Sequence, residues 1–191
     1  MSLAAGILLL DLSFYWWHRL NHAWPLLWRF HNAHHIDPDL DSTTPFRFHA
    51  GEIAYSSVFH AVQIGLIGPS ALAIAVYELL FPSGTVFHHS NVRLPLGLER
   101  ALSLVFVTFR MHGVHRSVIR DETNSNYSVL FRWWDPLHRS LRLNVPRTKS
   151  VSGWRRTRVR RTTRRFRSWH SRSVGNAITG ACRKAATAGA D

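Results

Sequence analysis

The stretch "HRLNHAWPLLWRFHNAHH", residues 18–35, sets five histidines among tryptophans, leucines and phenylalanines. Imidazole is polar, and unpaired polar groups are rare and costly on apolar ground. A fold that contains this stretch must give those rings partners in its interior. The spacing shows how. Residues three or four apart on a helix share a face. His18 and His22 are therefore expected to point one way together, and so are His31, His34 and His35. More histidines follow downstream: His88 and His89 in "FHHSN", then His112 and His115 in "MHGVHR". Paired imidazoles at this spacing are how a helix offers two ligands to one metal. A neutral imidazole is a good donor for iron, zinc, copper or nickel, and it avoids the desolvation cost of a carboxylate. Carboxylates are scarce near these groups and no Glu-x-x-His pair occurs, unlike a ferritin-like four-helix site. The grouped histidines exceed the needs of one ion and point to two. His49, His60, His138 and His170 stand alone and read as ordinary surface or packing residues.

The apolar runs say what kind of helices these are. Residues 3–17 are almost wholly apolar, interrupted by Asp11 and Ser13. About 20 apolar residues span a bilayer as a helix, so the helix is predicted to continue through His22. Trp16, Trp17, Trp24 and Trp28 cluster at that end, as aromatic belts do at a membrane interface. The run carries no basic segment before it and no clear cleavage site, and does not read as a signal peptide. Residues 53–81 form a second apolar stretch with Gly68-Pro69 near the middle. That pair either kinks one spanning helix or turns two half-helices back on themselves. His60 and Gln63 would then face protein rather than lipid. Residues 98–109 are shorter and amphipathic, predicting an interfacial or packed helix. The expected architecture is all-α, an integral-membrane helical bundle.

Charge divides the chain sharply. Residues 1–138 hold nine Arg, no Lys and ten acidic residues, whereas residues 139–191 hold fifteen basic residues and one acid. The net charge of +13 therefore belongs to the tail. The expected division is a membrane domain over 1–138 and an Arg-rich tail over 139–191, whose composition predicts disorder. "WRRTRVRRTTRRFR" invites a nucleic-acid reading, but no folded platform or groove-reading element accompanies it, and no nucleic-acid partner is expected. The same charge suits anionic headgroups or topology. The single cysteine, Cys182, excludes an intramolecular disulfide.

Taken together and in order, "HRLNH", "HNAHH", "RFHAGE", "FHHSNVRLP" and "MHGVHRSVIRDETNSNY…WWD" resemble the fatty acid hydroxylase/sterol desaturase superfamily of integral-membrane di-iron oxidases, across about residues 8–137. The bacterial sterol desaturase group, which is similar to alkylglycerol monooxygenase, is nearest in flavour. The resemblance implies a histidine-rich site for two iron ions at the cytoplasmic ends of membrane helices, in a bacterial inner membrane. It implies O2-dependent hydroxylation or desaturation of a lipid C–H bond, with electrons from a cytochrome b5-like, ferredoxin or reductase partner. The matching metal ligands are His18, His22, His31, His34, His35, His89, His112 and His115; His88 lies before the position the pattern fixes. Asn124, Asn126 and Tyr127 match a polar segment expected to orient ligand imidazoles.

The chain departs from that pattern in three places. Arg116 stands where the last group would carry a second histidine, and a guanidinium has no lone pair for a metal. Further helices usually precede the first histidine group, so truncated N-terminal helices are expected. Beyond "WWD" the text no longer resembles the family, and a reading-frame shift near residue 136 would account for it. The alternative reading is a catalytically impaired membrane relic of the same family that keeps the fold and binds zinc.

Overall fold

A computed structural model describes residues 1–36, 41–90, 92 and 94–143. Helix α1 runs Leu3–Ala23, capped where the Ser2 hydroxyl accepts from the Ala5 amide at 3.3 Å. The apolar run does continue through His22. Trp24 takes an extended conformation (φ −93°, ψ 117°), as a residue before proline prefers, and Pro25 opens α2 (Pro25–His35) at the one helical position where its missing N–H costs nothing. A 3-10 turn, Thr44–Phe46, leads to α3 (Ala50–Ile67).

The open question at Gly68-Pro69 is settled in favour of a turn. Gly68 ends α3 in the left-handed conformation (φ 61°), which only glycine adopts without strain. Ser70 then caps α4 (Ala71–His89) by accepting from the Ala73 amide. Nine residues before and after Pro69, His60 and Glu78 meet across the hairpin, with Nε2 and Oε1 2.7 Å apart. Gln63 also faces protein: its amide donates to the carbonyl of Leu10 on α1 at 2.7 Å.

Short helices follow: α5 (Leu96–Leu102), α6 (Phe109–His115), α7 (Arg120–Thr123) and α8 (Trp134–Leu137). The amphipathic stretch 98–109 is helical only to Leu102 before α6 begins at Phe109. Between them the chain turns over Ser103–Val105, and Phe106 pairs with Phe131 in an isolated antiparallel bridge. The Val107 amide donates to Leu130 and the Arg132 amide to Val105. β-Branched and aromatic residues favour that pairing over helix. Among the described residues there is no β-strand beyond this bridge.

Helix α1 is the hub: it packs against α2, α3 and α4, and α4 packs against α6. Ile7, Leu10, Tyr77 and Leu130 form the core where α1, α4 and the C-terminal segment meet. Asp11, buried on α1, accepts from the Phe131 amide (3.1 Å) and the Trp134 indole (2.7 Å), so the acidic break in the apolar run anchors the C-terminal segment. The outward faces of these helices are apolar, with Leu9, Val58, Val62, Leu66, Leu72 and Leu79 all exposed.

At Gly6, α1 approaches α4 closely: a Cβ placed there would lie 2.9 Å from the Ala73 Cβ. Gly6→Val must push the two backbones apart. Overpacking of this kind costs about 1–3 kcal/mol, and the melting temperature in detergent should fall accordingly. Gly65→Ala, where a Cβ would meet nothing within 4 Å, should leave it unchanged.

Candidate metal centre

The helices deliver the histidines to one end of the bundle in two buried groups. The ligand nitrogens of His18, His22, His31, His35 and His115 lie within 4.8 Å of one another, and those of His34, His89 and His112 do likewise. These eight are the residues singled out from the sequence. Their division is compatible with helix geometry. Successive residues turn by ~100° on a helix, so i+4 lies ~40° to one side of i and i+3 ~60° to the other. The i,i+4 pairs His18/His22 and His31/His35 each stay within the first group. The i,i+3 pairs His31/His34 and His112/His115 are split, one ring to each group. The single shared face expected for His31, His34 and His35 is therefore two faces, and α2 and α6 each serve both groups.

The rings are held by partners on their far nitrogens. His18 Nδ1–H donates to the Tyr127 carbonyl (2.7 Å), His115 Nδ1–H to the Ser125 carbonyl (2.7 Å), and His89 Nδ1–H to the Thr85 carbonyl (2.8 Å). His31 Nδ1–H donates to Glu52 Oε1 at 2.6 Å. In each ring this assignment leaves Nε2 as the lone-pair nitrogen. In the second group, His89 Nε2 lies 3.2 Å from His34 Nε2 and 3.0 Å from His112 Nε2. His115 Nε2 and the Nδ1 atoms of His34, His35 and His112 are buried without a hydrogen-bond partner. Lone pairs that converge while carbonyls and a carboxylate fix the opposite nitrogen are the arrangement of a metal-binding histidine set. The donor set fits ions that accept imidazole, iron among them.

Burial keeps these rings neutral. On α2, burial lowers the His31 pKa from an ordinary 6.5 to about 3, with the Arg116 charge adding. Burial also holds His34 and His35 well below 6.5, helped by Arg116 and by His22 respectively. On α6 burial does the same to His112 and His115. Neutral imidazole is the ligating form. The metal-free protein should be acid-labile as a consequence. Above about pH 6.5 neither state binds protons at these rings, and stability is intact. As pH falls from 6.5 toward 3 the unfolded chain takes up protons that the folded chain refuses, so stability declines. Urea midpoints of metal-free protein measured from pH 7.5 down to 4 should drop across that window; a flat profile would contradict the buried, neutral state.

Sequence reasoning placed the orienting role on Asn124, Asn126 and Tyr127. The segment does orient rings, but through the backbone carbonyls of Ser125 and Tyr127. Asn126, at φ 52°, spends its amide on the segment itself: it donates to the Met111 and Arg142 carbonyls and accepts from the Arg142 amide. Asn124 lies beside His22. Glu52 was missed. Its signal was the glutamate closing "RFHAGE", in the first turn of α3 and directly before an apolar run. Arg116 is buried, and its guanidinium donates to the His34 carbonyl. That places a cation on the C-terminal carbonyls of α2, where helix polarity favours it.

Beside both groups lies a cavity of about 360 Å³ between α3 and α4, flanked by α1. Phe14, Trp17, Phe48, Phe81, Val86 and Val129 give it apolar walls, and His18, His31, His34, His88, His89 and His112 face it at the histidine end. His60 lines it away from that end, between its partners Gln63 and Glu78.

Two groups of imidazoles along one end of an apolar cavity form an arrangement that could hold metal ions beside an apolar molecule. The chain is a member of the fatty acid hydroxylase family, whose pattern matches residues 3–140. It is 29% identical over 146 residues to an ornithine lipid hydroxylase of Rhizobium tropici, covering 76% of this chain and 43% of that protein. It is 29% identical over 128 residues to human alkylglycerol monooxygenase (66% and 27% of the two chains) and 27% identical over 139 residues to human cholesterol 25-hydroxylase (71% and 49%). The chain thus spans less than half the length of each of these relatives. No solved structure matches it significantly.

Proposed function

We propose that this chain is a membrane-bound, non-haem di-iron oxidoreductase that hydroxylates or desaturates a C–H bond of a lipid. The observation that carries the reading is the contact between the two histidine groups and an apolar cavity. His18, His22, His31, His35 and His115 would hold one ion, and His34, His89 and His112 the other. Bound there, two iron ions would supply the reductive activation of O2 that C–H oxidation requires.

The chain's own residues do the rest. Phe48, stacked on His34 with ring centroids 4.5 Å apart, and the walls of α1, α3 and α4 bind hydrocarbon and exclude water from the histidines. The carbonyls of Tyr127, Ser125 and Thr85 and the carboxylate of Glu52 fix ring orientation and hold the proton on Nδ1. The reaction also consumes electrons, and none of the described side chains stores them. A separate donor such as a cytochrome b5-like protein, ferredoxin or reductase is therefore part of the proposal. The substrate class is a fatty acyl, sterol or ether lipid, in keeping with the relatives' names.

Membrane placement rests on two observations. Helix α4 is long and apolar enough to cross a bilayer, with a mean hydropathy of 1.3. The exposed faces of α1, α3 and α4 form an apolar belt of the kind that soluble surfaces avoid. The turn at residues 68–70 carries no charge, whereas Arg29, Arg47, Arg100, Arg110 and Arg120 all lie outside α1, α3 and α4, in segments joined to their histidine ends. An Arg excess marks the cytoplasmic side, so the histidine end faces the cytoplasm, in a bacterial inner membrane. Iron content of protein purified in mild detergent, with iron available, tests the reading. Two irons per chain are expected; zinc alone or no metal would favour the relic.

A further inference from the structure

The two histidine groups are unequal. The first brings together five rings and the second three. A ninth grouped histidine, His88, sits at the second group. It is 1% exposed. Its ring packs against His112 with centroids 4.2 Å apart and against His89 at 4.7 Å, two of the three rings of that group. It also faces the same cavity as all three.

We infer that His88 is a fourth nitrogen donor to the metal of the second group. The inference rests on the two-metal reading above. Its own evidence is an unpaired atom: His88 Nδ1 is buried and has no hydrogen-bond partner. Leaving such an atom without a partner is costly, and a leucine or phenylalanine would fill the space without that cost. The other side of the ring has a partner in the Val129 backbone. His18, His89 and His115 likewise have one nitrogen taken by a main-chain group, there Nδ1 on a carbonyl. Consecutive residues on a helix point ~100° apart, so His88 and His89 can approach one ion only from different sides. The end of α4 allows this, because α6 packs on it and brings His112 against both rings.

Cobalt(II) titration of the full, metal-free chain in detergent tests this, with binding and visible ligand-field absorption followed together. The wild-type chain should take two cobalt ions. His88→Gln should bind the second ion at least about 10-fold more weakly, a loss that even an outer-shell partner of a ligand produces. The absorption bands of that ion should change, while those of the first-group ion stay as they are. His88→Leu should behave the same way, and its intact first-group spectrum reports that the chain is folded. If both variants bind two ions with wild-type affinity and bands, His88 is not a ligand, while the two-metal reading stands. If the wild-type chain binds no cobalt, that reading itself falls and the inference with it.

Discussion

His34→Ala will strip the second histidine group of its metal and abolish lipid oxidation. The group has three tightly placed nitrogens, and the substitution leaves only His89 and His112 of them. The change is unusually clean in structural terms. Arg116 reaches the His34 backbone carbonyl, not its ring, and alanine keeps that carbonyl. Helix α2 also keeps its other two grouped histidines, His31 and His35, which lie in the first group. Losing an outer-shell partner of a metal ligand already costs about 10–100-fold in metal affinity; loss of a ligand should exceed this. Iron content should fall from two to about one per chain, with turnover lost. His170→Ala, in the Arg-rich tail, should change neither. Equal effects of the two substitutions would remove the basis for assigning the site.

The clustering of these histidines was legible in the sequence because an imidazole in the interior needs a polar residue where an apolar one is expected. The grouped histidines could be picked out on that ground, and the family resemblance then narrowed them to eight; which group each ring joins was not contained in the spacing. What sequence could not show is what holds the rings. Three of the acceptors, at Thr85, Ser125 and Tyr127, are main-chain carbonyls, which every residue possesses and no side chain advertises. Glu52 left a trace, but a single glutamate near a helix start reads as well for a dipole contact as for a histidine partner. The Gly68-Pro69 pair fixed where the chain bends and left open whether it reverses, since both outcomes satisfy the same local preferences. The bridge at Phe106 was invisible for a different reason: its partner Phe131 lies about 25 residues away, and short apolar runs do not distinguish helix from strand by themselves.

The C-terminal segment shows how far the centre depends on residues that touch no metal. Asp135 is buried and receives three donors: the amides of Tyr127 (2.8 Å) and Ser128 (3.1 Å) and the Ser140 hydroxyl (2.7 Å). Burial raises its pKa, and these hydrogen bonds work against that shift. The Ser140 hydroxyl is in turn 2.8 Å from the Tyr15 hydroxyl on α1. Asp135 thereby fixes the peptide planes around Tyr127, whose carbonyl holds His18. Asp135→Ala leaves two buried amides without an acceptor, at about 1–3 kcal/mol each, so a loss of about 2–6 kcal/mol in stability is expected. The same change frees the Tyr127 carbonyl and lets the His18 ring rotate, which should weaken metal binding in the first group by about 10–100-fold. Asp135→Asn keeps one acceptor oxygen and should recover roughly half of the stability. Unfolding midpoints and metal titrations on the same three proteins distinguish this linkage from simple destabilisation. If Asp135→Ala unfolds more easily yet binds its first-group metal with wild-type affinity, the segment stabilises the fold without orienting His18.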